Sequence, residues 1–171
     1  LDLAPHDKYP GTIERVAKAV RALSTAPEED LLVLPSRVLL TWLIADGDMH
    51  LKNLALLKIA HSGDAAFRTV RFAPVYDTLT TRVFPGLAHD RMALKLGGKD
   101  ERLRRADFVA LATLAGLRAG DAQAAIDDML QRLPLALDGL NLPRALVLTA
   151  DARATIDRTL ELCRGRVAAF D

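Results

Sequence analysis

Trp42-Leu43-Ile44-Ala45-Asp46-Gly47-Asp48-Met49-His50-Leu51-Lys52-Asn53 is the stretch on which the reading of this chain turns. Upstream of it, Arg37 to Ala45 is apolar on nearly every helical face, Trp42 included, and a helix that is apolar all round runs through a core. The chain then passes abruptly into polar and ionisable residues, the kind of junction where chemistry is placed on a rigid support. Downstream, Leu54 to Ala60 and Phe67 to Ala73 read as two strands joined through His61-Ser62-Gly63-Asp64, a hairpin that ends at Pro74-Val75-Tyr76-Asp77.

Working outward, Leu1 to Pro10 reads as irregular. Thr12 then caps a helix on which Ile13, Val16, Val20 and Leu23 share one face. The following helix is expected to begin near Asp30 or to restart at Pro35, because proline suits a first turn and disrupts an interior. Beyond Asp77 a long irregular stretch, punctuated by Pro85-Gly86 and Gly97-Gly98, extends through Arg104. A connection of that length in a compact domain is usually functional. Helices are expected over approximately Ala106 to Leu117, Asp121 to Leu133 and Asp151 to Phe170. Cys163 falls on the apolar stripe of the last, with Ile156, Leu160, Val167 and Phe170, and reads as a packed small hydrophobe. The run Arg102, Arg104, Arg105 reads as a solvated helix start, with a phosphate or partner contact as the alternative.

The chain has 171 residues, 50% of them hydrophobic and 5% aromatic, and 23 Lys and Arg oppose 22 Asp and Glu. That balance excludes a charged disordered tail and gives no electrostatic case for nucleic-acid or membrane binding. The longest apolar run, Val38 to Ala45, falls far short of the roughly 18 residues that read as a membrane span, and the N-terminus has no signal-peptide pattern. One cysteine excludes an internal disulfide, and a cytoplasmic location is the expectation. The first residue is Leu1 rather than Met, so the reading expects a fragment.

Asp48-x-x-x-x-Asn53 followed after a hairpin by Asp77 is the spacing of a phosphotransfer site. Phosphoryl transfer to a hydroxyl needs a carboxylate to receive the proton and, separately, oxygen ligands for a magnesium ion on the nucleotide phosphates. Asp48 suits the first role, and Asn53 and Asp77 suit the second, since a hairpin brings its two ends together. His50 and Lys52 lie in the same loop, where a cation offsets charge on the transferring group. Asp48-x-His50-x-x-Asn53 resembles the loop of lipid-kinase-like atypical kinases more than the His-Arg-Asp loop of ordinary protein kinases. A rival divalent-metal site built from Asp48, His50, His61 and Asp64 fails on distance. His61 and Asp64 belong to the hairpin tip, and seven residues at about 3.3 Å each place that tip roughly 20 Å from the loop.

The Trp42 to Asn53 stretch, Phe72-Ala73-Pro74-Val75-Tyr76-Asp77 and Met92-Ala93-Leu94-Lys95-Leu96-Gly97-Gly98-Lys99 together resemble the C-terminal lobe of HipA-type serine/threonine kinases, toxins of bacterial toxin-antitoxin modules. The resemblance runs from about Lys8 to Leu117, and the terminal helices match only in character. It implies a mainly α fold over residues 1–171: the helical C-lobe of an atypical kinase, with a small β-hairpin beside the catalytic loop. It implies Asp48 as catalytic base, Asn53 and Asp77 as Mg²⁺ ligands and Tyr76 near the bound ATP, with His50 and Lys52 at catalytic-loop positions. It also implies a protein substrate, such as an aminoacyl-tRNA synthetase, and a DNA-binding, HipB-like antitoxin as partner. The family's N-terminal lobe, with its phosphate-covering loop and ATP-gripping lysine, has no counterpart here, so the chain is expected to be inactive or weak until that lobe is supplied in cis or in trans. The alternative reading is a catalytically silent helical module that binds a partner protein.

Overall fold

A computed structural model describes residues 9–143 and 145–170, so the irregular opening expected up to Pro10 lies, as far as Lys8, outside the described residues. Helix α1 spans Ile13–Leu23, and Thr12 caps it by accepting a hydrogen bond from the Arg15 amide at 3.2 Å. Its face of Ile13, Val16, Ala17 and Val20 is buried against α2. Each large side chain so removed from water contributes about 2 kcal/mol.

Helix α2 runs Pro27–Leu43 without a break, which corrects the expected start at Asp30 or Pro35. Pro27 itself takes the first turn, where its missing N–H costs nothing, and Glu28, Glu29 and Asp30 face the positive end of the helix dipole. Pro35 sits inside the helix and is buried; the packing of Leu31, Leu34, Val38 and Leu39 offsets the one helical hydrogen bond that it removes.

Strands β1 (Leu56–Ile59) and β2 (Thr69–Phe72) form the expected hairpin, antiparallel and in register from Leu56 opposite Phe72 to Ile59 opposite Thr69. Both are shorter than their apolar runs suggest, because the residues beyond Phe72 leave the ladder to build the site. A buried carboxylate locks this hairpin to α2. Asp30 accepts from the Ser24 hydroxyl at 2.6 Å, the Phe72 amide at 2.7 Å and Arg71 Nε at 2.9 Å. Burial alone would raise its pKa; the Ser24 hydroxyl, the Phe72 amide and Arg71 together hold it below the usual value.

The long stretch after Asp77 is less irregular than expected. A 3₁₀ turn occupies Thr81–Val83. Met92, Leu94 and Leu96 enter the core, and the Ile13 amide donates to the Lys95 carbonyl at 2.9 Å. Leu96 and Lys99 exchange backbone hydrogen bonds across Gly97 and Gly98, both at positive φ. These glycines therefore make a two-residue turn that other residues adopt at a cost, not a phosphate loop.

Helices α3 (Arg105–Leu114), α4 (Ala119–Asp138) and α5 (Ala150–Ala168) complete a mainly α fold. Helix α4 continues past the expected stop at Leu133, through Pro134, to Asp138. A proline deletes one hydrogen bond, and the turns on either side of it hold. Phe108 of α3 lies in the core and meets Phe170, just after α5, edge to face with centroids 5.5 Å apart. Cys163 is buried as expected, and burial raises its pKa. Among the described residues, no helix is long and apolar enough to cross a membrane.

Candidate active site

Helix α2 ends in a left-handed reversal. Ala45, at φ 58°, donates its amide to the Trp42 carbonyl at 3.2 Å, and the Asp46 amide reaches back to the Thr41 carbonyl at 3.0 Å. This is a Schellman closure with alanine in the position that glycine usually holds. Thr81 clamps it: its hydroxyl donates to the Ala45 carbonyl at 3.2 Å and accepts from the Gly47 amide at 3.0 Å. Gly47 is required there by space, since a Cβ would stand 2.1 Å from Asp90 Oδ2 and 2.8 Å from the Arg91 carbonyl.

The reversal sends the two carboxylates around Gly47 in opposite directions. Asp46 turns inward, 2% exposed, with Oδ1 accepting the Asp48 amide at 3.0 Å and Oδ2 without a protein partner. Burial pushes its pKa up to about 6; the Asp48 and Leu79 amides pull against that, and the charges of Asp48 and Asp77 add to it. Asp48 turns outward, its side chain 42% exposed, where Oδ1 accepts from the Tyr9 hydroxyl at 3.2 Å. Met49 returns to the core and takes a hydrogen bond on sulfur from the Thr41 hydroxyl.

His50 is buried below Asp48, with Nε2 4.0 Å from Asp48 Oδ1, its ring edge-on to Tyr9 and its Nδ1 without a protein partner. Its amide donates to Asn53 Oδ1 at 3.0 Å, closing the 3₁₀ turn Leu51–Asn53. Asn53 is thereby buried and aimed across the hairpin base, where Nδ2 donates to Asp77 Oδ2 at 2.6 Å. Asp77 is exposed and sits at φ 52°, a left-handed conformation that aspartate tolerates better than most residues. The structure thus brings together Asn53 and Asp77, 24 residues apart in sequence.

Tyr76 is 41% exposed and donates its hydroxyl to the Lys52 carbonyl, tying the two arms of the hairpin base; burial raises its pKa. The Lys52 side chain is exposed. His61 and Asp64 close on themselves at the hairpin tip, where the Asp64 carboxylate takes the His61 amide and Arg68. They join no site with Asp48, and no cluster of three or more His, Cys, Asp or Glu suited to a metal occurs among the described residues.

A family model described as the HipA-like C-terminal domain matches residues 1–137. The chain belongs to that family. A search of curated proteins gave no match. Among solved structures, the HipA-like chain is similar to one chain of the complex of Shewanella oneidensis MR-1 HipA and HipB with operator DNA, at 16% identity and TM-score 0.74, over 93% of this chain and 35% of that one. At this identity the likeness establishes the fold, a helical HipA-type C-terminal lobe, and this chain spans about a third of that neighbour.

Several residues of this HipA-like site escape a reading of the sequence. Asp46 looks like one more loop acid; only the reversal at Ala45 makes it a buried one. Thr81 and Asp90 lie in a stretch without pattern. Arg37, polar at the head of an apolar run, is the one with a signal: 6% exposed, it donates Nη2 to the Ala73 carbonyl at 2.6 Å and stacks 4.0 Å from the Phe72 ring. It thereby fixes the segment that delivers Asp77.

Proposed function

We propose that this chain is the catalytic lobe of a serine/threonine protein kinase that transfers the ATP γ-phosphoryl group to a hydroxyl of a protein substrate. The observation that carries the reading is the meeting of Asn53 and Asp77 at the hairpin base, with Asp48 projecting outward from the same loop.

The donor set fits a magnesium ion. Asp77 is a hard oxygen ligand, and Asn53 Oδ1, which accepts from the His50 amide while Nδ2 faces Asp77, would join it through its second lone pair once the Nδ2 hydrogen bond to Asp77 gives way. Mg²⁺ is commonly held by one or two protein groups together with substrate phosphates rather than by a full protein cage. A buried carboxylate oxygen on Asp46 without a protein partner, close to Asp48 and Asp77, makes the loop a place that favours a cation. Asp77 and Asn53 would hold the ion, whose charge would supply electrostatic stabilisation of the phosphates during transfer. Asp48 would accept the proton of the serine or threonine hydroxyl as its oxygen bonds to the γ-phosphorus and the bond to the β-phosphate oxygen breaks, giving ADP and a phosphomonoester. Its hydrogen bond from Tyr9 and the imidazole beneath it orient that carboxylate. The Lys52 ammonium would offset charge on the transferring group.

The fold covers about a third of its structural neighbour, and the reading requires a second, ATP-gripping lobe in cis or in trans. A DNA-binding antitoxin as partner is supported by that neighbour's assembly with HipB and operator DNA; a translation protein such as an aminoacyl-tRNA synthetase is the proposed substrate class, in the cytoplasm. Calorimetric titration of Mg-ATP into the two-lobed protein tests the ligand roles. Asp77→Ala is expected to weaken binding at least tenfold while Asp48→Asn leaves it within about threefold. Equal affinity in Asp77→Ala and the parent would remove Asp77 as a ligand.

A further inference from the structure

A basic cleft lies at the end of α2. It has a volume of about 500 Å³ and opens between the end of α2, the end of α5 and the segment before α3, lined by Trp42, Arg102, Leu103, Arg104, Arg166 and Phe170 among others, with no acidic residue on its wall among the described residues. Arg21, Arg37 and Arg82 are held by backbone carbonyls, while other arginines find carboxylates: Arg105 pairs with Asp127 at 2.6 Å, Arg164 with Asp138 at 2.6 Å, and Arg91 faces Asp100 and Glu101 at 3.5 Å. The three arginines of the cleft have no such partner among the described residues. Asp107, the acid near Arg104, is hydrogen-bonded by the Lys99 ammonium and the Arg104 amide and feels the Arg104 charge without forming an ion pair with it.

Arg166 is the built element. Its Nε and Nη2 donate to the Trp42 carbonyl at 2.8 and 2.6 Å, and its guanidinium lies 4.3 Å from the Trp42 ring centroid. That fixes the plane of the fork and leaves Nη1 without a hydrogen-bond acceptor among the described residues. Burial first, and the nearby Arg82 second, depress its pKa to about 10, so it stays charged at neutral pH while lacking a counter-charge. Arg102 stands at φ 53°, a left-handed conformation that a non-glycine residue adopts only at a cost.

We propose that this cleft binds the phosphate of a phosphomonoester, with the guanidinium groups of Arg102, Arg104 and Arg166 on the phosphate oxygens and the ester's apolar body against Trp42 and Phe170. Guanidinium forks match phosphate geometry, and a fixed cation without a partner gains most from an arriving dianion. Aromatic walls contribute only when the phosphate carries a body to lie on them. Arg166 and Phe170 lie beyond the residues matched by the family model, and the site does not depend on the phosphotransfer reading.

Trp42, the single tryptophan of the chain, reports on its own cleft. Its emission is followed while phenyl phosphate or inorganic phosphate is added at constant ionic strength set with chloride. Saturable change is expected, with phenyl phosphate bound at least fivefold more tightly than inorganic phosphate. The double variant Arg102→Asn, Arg104→Gln is expected to weaken phenyl phosphate at least tenfold with an unchanged helical circular-dichroism spectrum; asparagine tolerates the left-handed backbone at position 102. Arg105→Gln, whose carboxylate partner lies elsewhere, is expected to leave the affinity within twofold. No saturable change, equal affinity for the two phosphates, or an equal loss in Arg105→Gln would overturn the proposal.

Discussion

Asp46 is the residue whose environment most shapes the loop. Its folded pKa of about 6 exceeds the ordinary 3.8, so the folded state holds the proton more tightly than the unfolded one. Its contribution to stability is therefore full below about pH 4, falls as pH rises to about 6 and stays low above. Asp46→Asn keeps an acceptor for the Asp48 amide without the buried charge. It is expected to be more stable than the parent at pH 8 by about 2 kcal/mol, with the difference vanishing near pH 4. Urea unfolding at both pH values checks this; a variant less stable at pH 8 than its parent would mean that the ionised carboxylate is satisfied in the fold. The sequence shows that an acid stands here. That it is buried depends on Ala45 entering the left-handed region and on Thr81, 36 residues away, clamping the turn. Neither leaves a periodic or compositional mark.

Among elements, the hairpin and α2 act as one unit. Asp30 accepts from three donors on α2's approach and on β2, and Arg37 holds the Ala73 carbonyl just past β2. Removing the Asp30 carboxylate leaves the Phe72 amide and Arg71 Nε without their acceptor, although Arg71 Nη2 keeps Glu29 at 2.9 Å, so Asp30→Ala is expected to cost about 2 kcal/mol, a fall in melting temperature of roughly 6 °C for a domain of this size. Because the folded pKa of Asp30 is lowered, its contribution is present above the ordinary value of 3.8 and lost as pH falls below it. The acid limb of the parent's stability profile should accordingly flatten in the variant. Thermal melts between pH 3 and 7 check both; a loss under 1 kcal/mol would contradict the coupling of α2 to β2. The elements themselves are largely legible in sequence, because helical periodicity and the hairpin's alternation are local signals. The boundaries that differ are the start of α2, at Pro27 rather than Asp30 or Pro35, and the end of α4, at Asp138 rather than Leu133; in both helices packing and the flanking turns carry the helix through an interior proline, Pro35 or Pro134.

At the scale of the molecule, the chain carries an acidic loop after α2 and, at the end of that helix, a basic cleft. The loop's spacing is legible because Asp48, Asn53 and Asp77 stand at fixed offsets around a hairpin that leaves local signals of its own. The cleft is not, since Trp42 and Arg166 meet across 124 residues. With Asp48 and Asp77 open to solvent and no glycine-rich phosphate loop, this chain alone is expected to bind Mg-ATP with a dissociation constant weaker than about 100 µM, measured calorimetrically; micromolar binding would contradict the need for a second lobe.

The central claim is that Asp48 receives the hydroxyl proton in phosphoryl transfer. Its most direct test is the rate of transfer of labelled γ-phosphate from ATP to a protein serine or threonine, measured for the two-lobed protein and for Asp48→Asn. A positioned base contributes about 10²–10⁴-fold, so the account predicts a rate at least a hundredfold lower in the variant with the helical fold intact. Transfer within a few-fold of the parent, or no transfer by the parent itself, would contradict it.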